Sequence, residues 1–372
     1  MTEPLAATPA PALLRCPSCR AEVTESERFC EACGAPLTPT AAMVGEAVQA
    51  ADTPIELSRP VSAGGASAAA PAPEATAGPT CAECGGTVGE DGYCTTCGTK
   101  ARSPRDHYVE QPASWVAACC DRGIRHHKNE DATAVSAQAA PGSRAVLVVC
   151  DGVSTSTDSD VASLAGARSA RDVLTASRPT GLGVAASRAA ALAQAMETAS
   201  AQANAAVIAN TAPESDNAAS CTLAAAVIEG HLVVYGNVGD SRVYWLPDVG
   251  AGDPLQLSVD DSVAQARMEM GVGREEAENG PQAHAITKWL GRDSHDVRPR
   301  TGSVELSVPG WLMVCSDGLW NYCSAAPDLQ ALVAEVSATT GPNPLPLAVA
   351  LVAWANAQGG RDNISVALAR HG

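Results

Sequence analysis

Lysine and aromatic residues are scarce in this chain of 372 residues, which contains three lysines, one phenylalanine, five tyrosines and six tryptophans. Acidic residues outnumber basic ones by 41 to 24, which gives a formal net charge of −17 and a pI near 4.8. A general nucleic-acid binder needs a basic face for phosphates and aromatic rings for base stacking, so the composition argues against that class. Arginine is common where lysine is rare, and alanine, glycine and proline are abundant, which is typical of a GC-rich bacterial genome.

Long apolar runs are also lacking. No stretch approaches the roughly 20 apolar residues that span a bilayer, so we expect no membrane segment. Residues 1–14 lack a basic segment followed by an apolar core, so no secretory signal is expected and a cytoplasmic location is predicted. With 46% hydrophobic residues, the chain can still bury a sizeable core, and its length allows two folded regions.

Cysteine is plentiful, and eight of the fourteen cysteines fall into four C-x-x-C pairs. Two such pairs facing each other supply four thiolates for a tetrahedral Zn²⁺, and without an export signal metal is favoured over disulfides. A unit of this size has almost no apolar core, so the metal would supply its folding energy. We therefore predict two structural Zn²⁺ ions, one held by Cys16, Cys19, Cys30 and Cys33 and the other by Cys81, Cys84, Cys94 and Cys97.

The cysteine clusters and changes in composition divide the chain into five parts. They are zinc ribbon 1 at 14–37, an Ala/Pro-rich linker at 38–80, zinc ribbon 2 at 81–98, a second linker at 99–112 and a main domain at 113–372. The first linker has too little apolar content to fold, so it is predicted to be disordered. In the main domain, short apolar runs between turn signals predict strands, and alanine-rich stretches predict helices, which favours a sheet sandwich with outer helices.

Four aspartates lie at the ends of apolar, strand-like runs of the main domain, namely Asp151, Asp240, Asp317 and Asp362. Read singly, each is a turn signal, because Asp caps its own backbone and Gly or Asn tolerates positive φ. If the four strand ends converge, however, the carboxylates repel one another unless cations or protons compensate. Clustered carboxylates suit Mg²⁺ or Mn²⁺ better than zinc, so the sequence predicts a metal-dependent hydrolase.

Five segments occur in an order that is similar to one known family: GIRHHKNEDA at 123–132, CDG at 150–152, GDSR at 239–242, SDGLW at 316–320 and RDNISV at 361–366. The main domain resembles the PP2C (PPM) family of metal-dependent Ser/Thr phosphatases. The resemblance implies an α+β fold, a four-layer α-β-β-α sandwich of two antiparallel sheets flanked by helices. It also implies hydrolysis of phosphoserine and phosphothreonine monoesters by attack of a metal-bridging water or hydroxide.

The resemblance further implies a set of ligands for two Mn²⁺ or Mg²⁺ ions. Asp151 would bridge both ions, and Asp317 and Asp362 would complete the shell of one. Glu130 and the Gly152 carbonyl would serve the other, directly or through water.

A third, weaker ion of bacterial members would be held by Asp240 with Asp317. Asn321 stands where many relatives have another Asp, which is a departure at this third position. Asp131 is expected to cap the loop or orient a water. Residues 260–284 fit the mobile flap that bacterial members carry beside the site.

Two roles near the phosphate depend on positions where the chain departs from the family. Many bacterial members have a phosphate-binding Arg where this chain has His126, so we favour the neighbouring Arg125, whose guanidinium fork matches phosphate oxygens, with Arg122 as the alternative. Residues 153–156 lack the His that follows Asp-Gly in some relatives. We predict that His126 acts as the general acid, with His127 or a metal-bound water as alternatives.

The expected partners are phosphorylated Ser/Thr proteins, among them a Ser/Thr kinase or its substrates, and the ribbons on their tether would recruit them. One alternative is a catalytically weak, phosphatase-like scaffold or phospho-reader. Another is nucleic-acid binding through the ribbons, because ribbon 1 carries Arg15, Arg20 and Arg28, although ribbon 2 is acidic or neutral and aromatic residues are scarce. We expect neither a nucleic acid nor a membrane as partner.

Overall fold

A computed structural model describes residues 80–81, 84–99, 101–179 and 183–372, together with two short strands, β1 (Leu14–Arg15) and β2 (Glu22–Val23). The chain divides into two compact units, Met1–Glu74 and Ala75–Gly372. In the first unit β1 and β2 pair antiparallel, within the predicted ribbon 1. The four cysteines of that ribbon, Cys16, Cys19, Cys30 and Cys33, and almost all of the predicted linker 38–80 lie outside the described residues.

Two antiparallel sheets form the centre of the second unit. Their strands are β3 (His107–Ala113), β4 (Val116–Asp121), β5 (Ala132–Ala137), β6 (Arg144–Cys150), β8 (Leu223–Glu229), β9 (Leu232–Val238), β10 (Arg242–Pro247), β11 (Leu255–Gln256), β13 (Arg300–Glu305), β14 (Gly310–Cys315) and β15 (Ile364–His371). Two further short strands, β7 (Ser220–Cys221) and β12 (Leu290–Gly291), pair with each other. The first sheet has the order β11-β10-β14-β15-β4-β3, and the second has the order β13-β9-β8-β6-β5. All of the strand pairs within them are antiparallel.

Helices cover the outer face of each sheet. The helices of the described residues are α1 (Ser159–Ala176), α2 (Ala185–Asn210), α3 (Val263–Glu269), α4 (Arg274–Glu278), α5 (Asp317–Trp320), α6 (Ala326–Thr340) and α7 (Pro344–Ala357). The pair α1 and α2 packs on the five-stranded sheet, and α6 and α7 pack on the six-stranded sheet. A third apolar cluster lies between the sheets. The predicted four-layer α-β-β-α sandwich is confirmed.

The apolar run of β6 shows why these residues form a central strand. Every residue of β6 is buried, because side chains of a strand point alternately to its two faces and both faces are covered here. Val146, Val148 and Cys150 pack against the helices, whereas Leu147 and Val149 pack against the facing sheet. This alternation fixes the register and therefore fixes where the strand ends and Asp151 emerges.

The structure differs from the prediction at the second linker. Strand β3 occupies His107–Ala113, inside the segment 99–112 that was predicted as a linker, and it forms the edge of the six-stranded sheet. Its residues alternate between exposed and half-buried, so the strand carries too few apolar side chains to be distinguished from a polar connection. Helix α6 was also not predicted, although it packs as closely as α7.

The helix pair α3 and α4 lies within the predicted flap at 260–284 and has a small apolar cluster of its own. None of the helices in the described part of the chain is both long and apolar enough to cross a membrane.

Candidate active site

Strand register brings four carboxylates to one edge of the sandwich. The last residue of β6 pairs with the first residue of β5, so Asp131 and Asp151 are neighbours. The end of β14 lies beside the start of β15, which places Asp317 and Asp362 next to each other. The Ser316 hydroxyl donates a hydrogen bond to the Asp131 carboxylate at 2.7 Å and so joins the two sheets at this edge.

The electrostatics of these groups are those of a crowded, buried cluster. Burial raises the pKa of Asp151 well above its usual value, and the negative charges of Asp131, Asp317 and Asp362 raise it further. Burial and the charge of Asp362 raise the pKa of Asp317 in the same way. Burial first, and neighbouring carboxylates second, raise the pKa of Asp131 and that of Asp240 to about 7 each. Ionisation of all of these groups therefore requires positive charge between them.

Unpaired oxygen atoms provide the test of whether cations fit. Asp131 Oδ1 and Asp317 Oδ1 are buried and have no hydrogen-bond partner, although buried polar atoms normally have one. The other oxygen of Asp317 accepts a hydrogen bond from Asn321 at 2.9 Å. Among the described residues, no three of these carboxylates bring oxygens within 4.8 Å of one another. The donor set fits hard divalent ions.

Glu130 lies beside this cluster and is held ionised. Burial opposes ionisation, but hydrogen bonds from His126 and Ser159 lower the pKa of Glu130 to about 2. His126 lies between two carboxylates, with Nδ1 at 3.5 Å from Glu130 and Nε2 at 3.2 Å from Asp362. The hydrogen bond to Glu130 raises the pKa of His126. Lys128 also contacts Glu130, at 3.2 Å.

Gly152 occupies a position that has no room for a side chain. A Cβ atom there would lie 2.6 Å from the carbonyl oxygens of Glu130 and Ser159, closer than such contacts ever are. The Gly152 N–H donates to the Glu130 carbonyl at 3.1 Å. The glycine therefore lets the loop after β6 pass directly behind Glu130, which brings Asp151 and Glu130 to the same site.

The family comparison agrees with this arrangement. A family model described as Protein phosphatase 2C matches residues 123–354, more than half of the chain. The chain belongs to the protein phosphatase 2C family. A zinc-ribbon domain model matches residues 15–37, at the predicted ribbon 1.

Individual relatives of this phosphatase 2C chain are bacterial phosphatases. The serine/threonine phosphatase stp of Listeria monocytogenes is 30% identical over 251 residues, which are 67% of this chain and 92% of that protein. The protein phosphatase PhpP of Streptococcus pneumoniae is 32% identical over 151 residues, so the match spans only 40% of this chain and 56% of PhpP. A crystal structure of the catalytic domain of the phosphatase PstP in complex with two manganese ions is similar over 70% of this chain and 97% of that domain, with 25% identity and a TM-score of 0.50.

The arginines predicted for phosphate binding differ in their surroundings within the phosphatase 2C domain. Arg122 donates to Asp106 at 3.3 Å and is only partly exposed. Arg125 is exposed, and no partner of its guanidinium is found among the described residues. Its backbone N–H donates to Gly360, which fixes the loop beside Asp362. His127 is exposed as well.

Residues that the sequence reasoning missed complete the site of the phosphatase 2C domain. Asp131 was predicted to cap a loop or orient a water, but it is fully buried within the carboxylate cluster. The buried Asn363 side chain accepts from the Glu130 N–H at 2.7 Å and donates to the carbonyls of Arg122 and Lys128. The sequence signal for this role was the pair Asp362-Asn363 before β15, because a buried Asn side chain has both donors and acceptors with which to hold a loop.

A buried arginine connects the flap to the site. Arg242 is fully buried, contacts Asp260 through two of its nitrogens and Glu278 of α4 at 2.8 Å, and stacks 3.6 Å from the Trp320 ring. Trp320 Nε1 in turn donates to the Asp240 carbonyl at 3.0 Å. The flap and the predicted third-ion position are therefore linked by a chain of contacts, an ion pair to Arg242, its cation–π contact with Trp320 and the hydrogen bond from Trp320.

Ribbon 2 brings four sulfur atoms together in the second unit. Cys81 Sγ lies 3.7 Å from Cys97 Sγ, and Cys84 Sγ lies 3.5 Å from Cys94 Sγ. All four sulfurs lie within 4.8 Å of one another, a spacing that suits one tetrahedral Zn²⁺.

We expect zinc to control the reactivity of these thiols. In the folded ribbon a hydrogen bond with Thr99 lowers the pKa of Cys97 to about 6. For Cys84, a Gly86 backbone hydrogen bond opposes the neighbouring thiols, chiefly Cys97, which raise the pKa to about 12. Because a Zn²⁺-bound thiolate is a weak nucleophile and the ribbon loses its folding energy with the metal, Cys97 and Cys84 should each react with iodoacetamide at pH 7 at least about tenfold faster after zinc removal than before it. Mass spectrometry of the full chain checks this, and alkylation of the zinc-loaded ribbon at the same rate would contradict the zinc assignment.

Proposed function

We propose that this protein is a Mn²⁺- or Mg²⁺-dependent phosphatase that hydrolyses phosphoserine and phosphothreonine monoesters in other proteins. One observation carries the proposal, the crowded cluster of Asp131, Asp151 and Asp317, in which burial and then mutual repulsion raise the pKa values and two buried oxygens lack a hydrogen-bond partner. Membership of the phosphatase 2C family and the similarity to a phosphatase crystallised with two manganese ions support the same conclusion.

The chemistry of the donor set indicates which residues would hold the ions. Carboxylate and carbonyl oxygens favour Mn²⁺ or Mg²⁺ over zinc. When bound, the ions neutralise the phosphate and acidify the water that attacks phosphorus. The proposed ligands are Asp151 as the shared ligand, Asp317 and Asp362 for one ion, Glu130 and the Gly152 carbonyl for the second, and Asp240 with Asp317 for a third.

His126 is suited to deliver the proton that the departing oxygen needs. Hydrolysis transfers the phosphoryl group to water and leaves a serine or threonine oxygen that must gain a proton. The imidazole lies between Glu130 and Asp362, and its hydrogen bond with Glu130 raises its pKa, which favours the protonated form that a general acid needs. Histidine is also the side chain whose ordinary pKa lies closest to neutral pH, which suits it to this role.

Arg125 is the residue we propose for phosphate binding, because its guanidinium is exposed beside the site and Arg122 is already paired with Asp106. Replacing Arg125 by alanine should lower kcat/KM for a phosphothreonine peptide by about 10- to 100-fold, the value of a hydrogen bond between charged groups. The matched variant Arg122→Ala should change kcat/KM by less than about threefold. Steady-state kinetics of both variants check this, and the reverse order would identify Arg122 as the ligand.

A cleft of about 660 Å³ borders Asp362 and provides space for the peptide around the phosphorylated residue. Its walls include Arg274 and Glu275 of the flap on one side and Tyr322 and Arg361 on the other. Charged groups of both signs line it, so polar peptides suit it better than apolar ones. We propose that flanking residues of the phosphoprotein bind here.

Ribbons 1 and 2 are proposed to recruit partners, which would be phosphorylated Ser/Thr proteins, a Ser/Thr kinase or its substrates. Small ribbons present surface loops on a metal-stabilised frame, and tethering raises the local concentration of a bound substrate. Loss of turnover on a protein substrate, but not on a short peptide, after deletion of residues 1–99 would support this role.

The deciding experiment for the proposed activity is hydrolysis of a phosphothreonine peptide by the full chain with Mn²⁺, with Mg²⁺ and with EDTA. Metal-dependent release of phosphate is the expected result. Tight peptide binding without turnover would instead identify a phospho-reader and overturn the proposal.

A further inference from the structure

Arg105 lies outside the segment that the phosphatase 2C model matches, which begins at residue 123. It follows ribbon 2 by a few residues and precedes β3, in the stretch that sequence reasoning took for a linker. Its guanidinium nevertheless reaches the backbone on both sides of Glu130.

One nitrogen of Arg105 holds the backbone on both sides of a proposed metal ligand. Nη2 donates to the carbonyls of Asn129 at 3.3 Å, Asp131 at 2.8 Å and Asp160 at 3.3 Å. Asn129 and Asp131 flank Glu130, and both are buried. Asn129 Nδ2 returns a hydrogen bond to the Arg105 carbonyl at 2.8 Å, so the loop and the arginine hold each other.

The segment that carries Arg105 is itself fixed to the domain. Asp106 is buried and accepts from the Ser103 N–H at 3.0 Å and from Arg122 at 3.3 Å. Farther along β3, Tyr108 Oη accepts from the Thr133 N–H at 2.8 Å. Since β3 belongs to one sheet and Thr133 to the other, the segment closes the edge of the sandwich next to the metal loop.

We propose that Arg105 is a positioning residue for metal binding, and that the connection between ribbon 2 and the phosphatase 2C domain is therefore part of the catalytic unit. Three carbonyls that point at one spot need a cation or several donors, because their dipoles repel and buried acceptors without donors are costly. Removing the guanidinium frees the backbone around Glu130, and the second proposed ion loses a fixed ligand. The proposal depends on the proposed function in one respect, namely that the carboxylate cluster beside Glu130 is a metal site.

Calorimetric titration of the zinc-loaded full chain with Mn²⁺ tests the role without requiring turnover. Arg105→Met keeps the bulk of the side chain and should weaken Mn²⁺ binding by about tenfold or more, as loss of a group that orients a ligand does. Arg105→Lys places an ammonium with three donors near the same three carbonyls, so its affinity should stay within about threefold of the parent. The KM of a phosphothreonine peptide at saturating Mn²⁺ should not change in either variant.

Tyr108→Phe is the matched control, because it removes a contact of the same segment that does not touch the metal loop. It should lower the melting temperature while leaving Mn²⁺ affinity unchanged. If Arg105→Met binds Mn²⁺ as the parent does, or if the lysine variant is as impaired as the methionine variant, Arg105 has no positioning role. If Arg105→Met does not fold, Arg105→Gln is titrated with the same expectation. A parent protein that binds Mn²⁺ but releases no phosphate would overturn the proposed function and leave this test valid.

Discussion

Asp151→Asn is expected to lose at least about a thousandfold in metal-dependent phosphate release, and also to raise the melting temperature of the EDTA-treated protein. Loss of the proposed shared ligand should remove charge stabilisation of several kcal/mol, and about 4 kcal/mol corresponds to a thousandfold in rate. The gain in stability follows from the half-buried Asp151 carboxylate, whose pKa is raised by burial and by Asp131, Asp317 and Asp362. A neutral amide of the same shape ends that repulsion.

Two measurements check this pair of effects, peptide hydrolysis in Mn²⁺ and thermal unfolding in EDTA. We expect the melting temperature to rise by at least about 3 °C, since about 1 kcal/mol shifts it by 2–4 °C in a domain of this size. Asp172→Asn is the matched control, because that aspartate lies on α1 with its side chain 68% exposed, and it should change neither quantity. Inactivity together with a lower melting temperature would mean that Asp151 is needed for folding and would contradict the account of repulsion.

Without metal, the protein should become less stable as the pH rises from 5 to 8. The carboxyls of Asp131 and Asp240 have pKa values of about 7, against 3.8 in an exposed chain. Between these values the folded state keeps protons that the unfolded chain has lost, so the free energy of unfolding falls with rising pH until about 7. Each group contributes up to about 4 kcal/mol to this fall. Glu130, whose pKa is about 2, acts in the opposite direction but only below this range.

Thermal unfolding in EDTA at pH 5, 6, 7 and 8 checks the direction, and a fall of roughly 5 °C or more is expected. The same series in Mn²⁺ should show the opposite trend, because ions bind the deprotonated carboxylates and compensate their charge. Asp240→Asn should flatten the curve in EDTA. A melting temperature in EDTA that rises toward pH 8 would show that the carboxylates are not crowded in the folded protein.

The ends of the buried strands were predictable from sequence because their apolar runs are continuous and each run has an aspartate beside one of its ends. Helices α1, α2 and α7 were predictable for the same reason, since their apolar positions recur at helical spacing. No single motif predicts that the strand ends converge. The order of the five motifs does, because it is similar to that of a known family.

The contacts that were missed are those for which the sequence carries no periodic signal. Strand β3 is half exposed, and its sequence resembles that of a polar loop. The contact of Arg105 with the backbone around Glu130 could therefore not be predicted. Asp131 reads as a turn residue until the pairing of β5 with β6 places it beside Asp151. Long-range polar contacts of this kind depend on the packing of two sheets, which local patterns do not encode.

The ion pair between the buried Arg242 and Glu278 of the flap bears on which substrates the proposed phosphatase would bind. An outward movement of α4 would separate Glu278 from Arg242. The buried guanidinium would then keep only one of its two carboxylate partners, Asp260. Breaking a buried ion pair costs about 3–5 kcal/mol, which limits such an open form to less than about 1% of molecules. Most molecules therefore keep this wall of the cleft closed, and under the proposed function a phosphopeptide has to adapt its conformation to the wall. Such a site would favour disordered phosphorylated segments, whose backbone can adapt although they lose conformational entropy on binding, over phosphorylated residues held within folded domains.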